Sequence, residues 1–322
     1  MDREITTIII TKNNESVIKD TIESVIDYSY ILIADLESKD STVKICKEFN
    51  IDVCNFNFNY NYSDIKNYLI NKSTTDWILS LEPGEIVTSG HEFFSADKTD
   101  EMYRVSLLND DLLIKQTRLF KKTCKFKGRV FEFIDPDLSE QTLPIIITGN
   151  SSIDKKTIID CIMKWKDEEP LSAEPDYYLS NIYLMYGDND QFLVNAERFL
   201  FQKKEIDSSV ILTKYYISSI LKKKNPGRSL QLILECISAY PLMAEFWCLL
   251  GDLYLFSFKE YDRAYHFYQN AVILGSQRLV EDVMPMEISK YHDYPQKMMR
   301  AIENAIKATL REQNFSNEER KK

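Results

Sequence analysis

The apolar positions along the chain change period near its middle. Ile5–Thr11 (ITTIIIT) is a β-branched run without polar alternation, which predicts a strand buried on both faces. Lys12-Asn13-Asn14-Glu15 interrupts it, and Val17, Ile18, Ile22, Val25 and Ile26 then recur at helical spacing across 16–26. A second buried run ends at Asp35. A helix over 42–49, with Asp40 or Ser41 to cap it, precedes a third strand over 51–56. Strand, helix, strand, helix, strand predicts a βαβαβ half-sheet, and crossover handedness makes it parallel. Residues 63–71, capped by Ser63 or Asp64, read as the next helix. Trp77-Ile78-Leu79-Ser80-Leu81 reads as a buried strand stopped by Glu82-Pro83-Gly84-Glu85. Residues 102–108, 113–120 and 128–134 alternate and are expected as antiparallel additions at the sheet's edge.

Beyond residue 150 the pattern is helical almost throughout. An amphipathic helix over 154–166 leads into the polar linker Asp167-Glu168-Glu169-Pro170. Helices then arrive in pairs: 176–186 with 190–202, 207–223 with 227–239, and 243–257 with 260–274, punctuated by Pro226-Gly227 and Tyr240-Pro241. The pair-to-pair spacing is about 34 residues, so the region resembles tetratricopeptide repeats. The clearest copy, 244–275, has Trp247, Leu250, Gly251, Tyr254, Ala264, Tyr268 and Ala271, with one extra residue near Ser257-Phe258. A last helix is expected over 296–311, followed by a polar, frayed tail. The expected organisation is an α/β domain over 1–150, a connecting helix and linker over 151–174, a helical solenoid over 175–275, and a C-terminal helical segment over 276–322.

Composition narrows the function classes. The 322 residues are 44% hydrophobic and 28% charged, as in a soluble globular protein. A net charge of −10 argues against a broad surface for neutralising nucleic-acid phosphates. Six scattered cysteines with no CxxC pair read as reduced core residues of a cytoplasmic protein. The three histidines are too far apart in sequence to suggest a zinc cluster. With neither an 18-residue apolar run nor a signal-peptide opening, no membrane association is expected.

The candidate chemistry lies at the acidic turn Glu82-Pro83-Gly84-Glu85. Ligands of open α/β sheets sit beyond the carboxyl ends of the strands. Two carboxylates there can hold a divalent cation, and through it a diphosphate. An ordinary solvated turn is the plain alternative.

Taken in order, several segments over residues 5–134 resemble family 2 glycosyltransferases of the GT-A fold. Lys12-Asn13-Asn14-Glu15 matches the family's first turn, and Asp35-Leu36-Glu37-Ser38-Lys39-Asp40-Ser41-Thr42 its Asp-rich turn. Lys66-Asn67 matches an Arg-Asn pair, and Asp76-Trp77 with Leu81-Glu82-Pro83-Gly84-Glu85 a DW…LDADE motif. Arg118-Leu119-Phe120, Phe126, Gly128 and Glu132 match the last motif. The resemblance implies a GT-A-like α/β nucleotide-binding domain with a mixed, mainly parallel sheet, followed by an all-α solenoid like tetratricopeptide repeats. It implies that Thr11, Asn13, Glu15 and Asp35 hold the nucleoside, and that Lys66, Glu82, Arg118 and Arg129 lie at the diphosphate. Glu82 and Glu85 would carry Mn²⁺ or Mg²⁺, and Glu132 would act as base in an inverting transfer, with Glu85 as the second catalytic carboxylate. The chain departs from the family's pattern at three points. Gly84 stands where an acid is expected, Lys66 replaces an arginine, and Phe131 replaces a histidine.

The implied activity is transfer of a sugar from a nucleotide-sugar donor, expected to be UDP-linked, to a glycan, a peptide or a modified base. The repeats would serve as a platform for acceptor, protein partner or homodimer. Two other readings remain open: a catalytically degenerate GT-A domain attached to a protein-binding scaffold, and a nucleotidyltransferase-like use of the same sheet.

Overall fold

The computed structural model describes residues 3–131, 133–134, 140–149, 155–279, 282 and 284–319. The chain divides into two compact units, Met1–Ile182 with Val283–Pro285, and Tyr183–Asp282 with Met286–Lys322.

The first unit is built on a mixed sheet. β1 (Ile5–Thr11), β2 (Tyr30–Asp35), β3 (Val53–Asn55) and β4 (Trp77–Leu81) run parallel in the order β3-β2-β1-β4. α1 (Ile18–Glu23), α2 (Thr42–Glu48) and α3 (Tyr62–Lys72) are the crossovers. Every residue of β1 is buried, as its unbroken β-branched run requires. One core gathers Ile5, Ile9, Ile18, Ile22 and Ile33.

The sheet continues beyond β4 through β7 (Leu112–Lys121), β6 (Met102–Asn109), β10 (Glu140–Thr148) and β5 (Ile86–Ser89). β7 is antiparallel to both β4 and β6, whereas β10 is parallel to β6. The sequence reading did not resolve β5 and β10. β10 contains Pro144, and its register against β6 shifts between Thr142 and Ile146, which blurs the alternation.

Two local expectations are corrected. The N-cap of α3 is Asn61, whose side chain accepts from the Asp64 N–H, so the helix starts one residue before Ser63. The single strand expected over 128–134 is instead two short antiparallel strands, β8 (Phe126–Lys127) and β9 (Phe133–Ile134). Between them Gly128 and Phe131 have φ of 90° and 54°, which no continuous strand accommodates.

α4 (Lys155–Glu168) completes the first unit, and α5 (Glu174–Met185) carries the chain into the second. The second unit is mainly helical: α6 (Asn189–Gln202), α7 (Ser208–Leu221), α8 (Pro226–Ala239), α9 (Ala244–Asp252), α10 (Tyr261–Gly275) and α11 (Asp293–Glu319). One core collects Phe192, Ala196, Ile217 and Leu232. A second collects Ala244, Cys248, Ala264, Tyr268, Ala271, Tyr291 and Ile302. A Cβ on Gly251 would lie 2.7 Å from the Tyr268 ring, so this small residue sets how closely α9 and α10 approach. The extra residue near Ser257-Phe258 does not lengthen a loop. It is absorbed in a π-helical turn, Leu253–Phe258, that continues α9 and is ended by Lys259 at φ 61°. Among the described residues, no helix is long and apolar enough to cross a membrane.

Candidate active site

The carboxyl ends of β1 to β4 carry a group of left-handed backbone positions: Asn13 (φ 53°), Glu37 (φ 59°), Tyr60 (φ 64°) and Gly84 (φ 94°). Strained backbone in non-glycine residues persists where surrounding contacts over-determine it, and it gathers at ligand sites.

Glu82-Pro83-Gly84-Glu85 has the marks of a type II β-turn. Proline sits at the second position, glycine at the third with positive φ, and the Glu85 N–H donates to the Glu82 carbonyl at 3.0 Å. The Gly84 N–H donates to Thr21 Oγ1 on α1 at 2.9 Å. A second glycine, Gly149 (φ 101°), lies so close that a Cβ there would be 2.1 Å from the Gly84 carbonyl oxygen. The turn is thus fixed from two sides.

Glu85 faces inward and is 4% exposed. Its Oε1 accepts from Arg118 Nη2 at 2.6 Å and its Oε2 accepts the Glu82 N–H at 2.8 Å. Burial pushes its carboxyl above the ordinary range, against the opposing pull of Arg118. Glu82 is half-buried, and its Oε1 accepts from Lys66 Nζ at 2.9 Å, with Arg118 Nη1 at 3.9 Å.

Lys66 belongs to the buried face of α3, one turn from Tyr62 and Ile70, and its ammonium lies 5.0 Å from the centre of the Phe126 ring. Asn67 holds Phe126 in place: its Nδ2 donates to the Phe126 carbonyl and its Oδ1 accepts the Phe126 N–H, both at 2.9 Å. Arg118 is positioned by a β-bulge. Tyr103 pairs with Leu119 and Arg104 with Thr117, so Arg118 has no opposite number on β6. Its Nη1 reaches the Ser80 carbonyl at 3.4 Å.

These side chains border a cavity of about 220 Å³ lined by Tyr62, Lys66, Ser80, Glu82, Gln116, Thr117, Arg118, Phe126, Val130, Phe131 and Ile158. Two buried polar atoms on its wall have no hydrogen-bond partner among the described residues, Arg118 Nε and Ser80 Oγ. An unsatisfied buried donor is costly, about 1–3 kcal/mol, and marks a place for a ligand or water. A neighbouring cavity of about 430 Å³ is lined by Lys12, Glu37, Asn57, Phe58, Tyr60, Lys156, Thr157 and Asp160. Phe58 packs on Tyr60 and Tyr62, with ring centroids 5.3 and 4.8 Å apart, so one aromatic cluster contributes to the walls of both cavities.

The other expected site residues are placed as follows. Thr11 and Asp35 each brace their own turn, after β1 and β2 respectively, and Asn13 and Glu15 tie the two turns together. Thr11 Oγ1 donates to Asn14 Oδ1, and Asp35 accepts from the Ser38 N–H at 2.9 Å and from its hydroxyl. Asn13 Oδ1 accepts the Lys39 N–H at 2.7 Å, and Glu15 Oε2 the Ser41 N–H at 2.8 Å. Asn13 and Glu15 are exposed. Arg129 is paired with Glu168 of α4 rather than with the acidic turn. Phe131 stacks on Tyr178 at 4.4 Å and closes one side of the smaller cavity. Glu132 lies outside the described residues.

The sequence reading missed Ser80, Gln116, Thr117, Tyr62 and the Phe58–Tyr60 pair. Ser80 left a trace, a single hydroxyl within an otherwise apolar strand. Gln116 and Thr117 lie in a run expected only as an addition at the sheet's edge.

The donor set does not fit a divalent cation. Gly84 has no side chain, both Glu85 oxygens are committed, and Glu82 is bound to an ammonium. Among the described residues, no three His, Cys, Asp or Glu side chains are grouped to hold a metal. Glu82 and Glu85, expected as the metal's carboxylates, are engaged by Lys66 and Arg118, with a left-handed glycine between them.

Residues 6–83 match the family model described as Glycosyl transferase family 2. Over these residues the chain is similar to family 2 glycosyltransferases. The match ends inside the acidic turn, so Arg118 and Arg129 lie beyond it. Among curated proteins, none matches the sequence. Of solved structures, MamA 41-end from Desulfovibrio magneticus RS-1 is 17% identical over 50% of this chain and 86% of that chain, with a TM-score of 0.37. Glucosyl-3-phosphoglycerate synthase from Mycobacterium tuberculosis, solved with Mn²⁺, uridine diphosphate and glucosyl-3-phosphoglycerate, is 11% identical over 33% of this chain and 44% of that chain, with a TM-score of 0.28. At these scores neither likeness carries an argument.

Proposed function

We propose that the family 2 domain transfers a sugar from a nucleoside diphosphate sugar, UDP-linked by preference, to an acceptor on a glycan, a peptide or a modified base. One observation carries this reading. A cavity beyond the carboxyl end of β4 holds two cationic side chains and two unpartnered buried polar atoms. The nucleoside is assigned to the neighbouring cavity, where Asn57 offers an amide and Phe58 and Tyr60 offer ring faces. The diphosphate then reaches Lys66 and Arg118 past Tyr62.

In an inverting transfer the acceptor heteroatom attacks the anomeric carbon while the bond to the diphosphate oxygen breaks. A carboxylate takes the acceptor's proton, and the diphosphate leaves with the bonding electron pair. Glu132 is assigned as the base on the family motif alone. Glu85 is assigned to positioning, since it fixes both Arg118 and the Glu82 backbone. The helical hairpins of the second unit are proposed as a binding surface for an acceptor protein or a second copy.

The pairing of all four charges also suits a degenerate domain whose cluster is only structural. Release of nucleoside diphosphate from UDP- and GDP-sugars separates the two. Turnover that is lost in Glu132→Gln supports the enzyme. No release from any sugar nucleotide, with no thermal shift by any nucleoside diphosphate, favours the scaffold.

A further inference from the structure

From the charge balance at the acidic turn we infer that diphosphate binding here is independent of metal, with Lys66 and Arg118 in the place of a divalent cation. The inference rests on the proposal that this site takes a nucleoside diphosphate. Two carboxylates with a divalent cation have the same net charge as Glu82 and Glu85 with one ammonium and one guanidinium. The family's arrangement needs an acid two residues after the first, and here that position is a left-handed glycine. Glu82 keeps its place but turns its Oε1 to Lys66 at 2.9 Å, and Glu85 is spent on Arg118 at 2.6 Å and on the turn's own backbone.

The cations are held in position before any ligand arrives. Lys66 is on a helix, over an aromatic ring whose backbone is clamped by Asn67. Arg118 is turned out of its ladder by the bulge, with Nη2 tied down and Nε–H left without a partner. Among the described residues, Arg118 Nε and Ser80 Oγ are left unsatisfied on this wall, and phosphate oxygens are acceptors that suit both. A fixed cationic pair stabilises the departing diphosphate without a metal, since arginine and lysine clamps serve that purpose in phosphoryl chemistry.

The test is calorimetric titration of the full chain with UDP and GDP, in EDTA and then with Mn²⁺ or Mg²⁺. The expected result is binding in EDTA, with the Kd changed by less than about threefold on adding metal. Lys66→Met with Glu82→Gln, which removes both charges together, is expected to weaken binding by about tenfold or more. Ser80→Ala, which alters no charge, is expected to weaken it by about threefold. Binding that requires metal overturns the inference and leaves the proposed function standing. Metal-free binding that both variants retain in full overturns the role of the cationic wall. Absence of any nucleoside diphosphate binding, with or without metal, overturns the inference and the proposed function together. Thermal unfolding of each variant checks that it is folded, and Ser80→Ala keeps the test decisive if the charge variant is not.

Discussion

Arg118→Met tests whether the bulged arginine supports the acidic turn. The Glu85 and Arg118 side chains are 6% and 8% exposed and meet at 2.6 Å. Removing one partner of such a pair leaves an uncompensated buried charge, at a cost of about 3–5 kcal/mol. That is a large part of a domain's stability of about 5–15 kcal/mol. For a unit of this size it lowers Tm by roughly 6–20 °C, taking about 2–4 °C per kcal/mol.

The loss should depend on pH. Burial already raises the Glu85 carboxyl, and losing Arg118 raises it further. A carboxyl whose folded pKa exceeds its unfolded value binds its proton more tightly in the folded state. Its contribution is therefore greatest below the unfolded pKa and is lost as pH rises through the folded one, by up to about 1.4 kcal/mol per pH unit. The deficit of Arg118→Met relative to the parent chain should be small near pH 4.5 and grow toward pH 8, on the order of those slopes. Adding Glu85→Gln should recover at least about half of it, because no buried charge is then unpaired. Urea unfolding followed through Trp77, the first residue of β4, measures each case. A variant within about 1 kcal/mol of the parent at pH 8, or a deficit that does not change with pH, would refute the reasoning.

Other outcomes are expected elsewhere. Gly149→Ala places a methyl against the Gly84 carbonyl at a left-handed position; unfolding should show a loss of about 2 kcal/mol or more, and a loss under about 0.5 kcal/mol would mean the turn yields freely. Tyr268→Phe removes a buried donor to Asp252 (2.8 Å) while Tyr294 and Lys222 remain, so denaturant titration should show a loss of about 1 kcal/mol in the second unit. Asp207→Ala removes the N-cap of α7, with an expected loss of about 1 kcal/mol. Burial works against the Asp207 charge, but hydrogen bonds from Ser209 and Val210 outweigh it and lower its pKa. The parent's advantage is therefore present above the ordinary carboxylate pKa and fades as pH falls through the lowered one. Glu132→Gln should reduce kcat by about a hundredfold to ten-thousandfold if it is the base, measured by nucleoside diphosphate release.

The parts of the fold legible in the sequence are those set by short-range period. The β-branched run of β1, the stripe of α1 and the Pro-Gly stop after β4 each depend on neighbouring residues alone. Lys66 was recognised from a motif, but its burial was not, because a lysine within an apolar stripe looks like the edge of a solvated face until Glu82 is brought to it across sixteen positions. Arg118 was named as a diphosphate partner, yet the bulge that turns it inward depends on the register of β6 against β7, which no local pattern encodes. Thr11, Asn13, Glu15 and Asp35 illustrate the opposite case. Their residue types suited a nucleoside, and in the structure their side chains bond within and between their own two loops. In the helical unit, Tyr291 and Tyr294 carried no local pattern that told their role. That role needed the structure: the two hydroxyls reach Glu245 and Asp252, carboxylates otherwise buried in α9.

The π turn at Leu253–Phe258 separates chain length from spatial repeat in this array. A residue inserted within a helix is taken up as one wide loop of backbone hydrogen bonds, and α10 still meets α9 across the same small side chains. Strict periodicity in sequence therefore undercounts such hairpins, and their lengths can drift one residue at a time while the stack keeps its spacing.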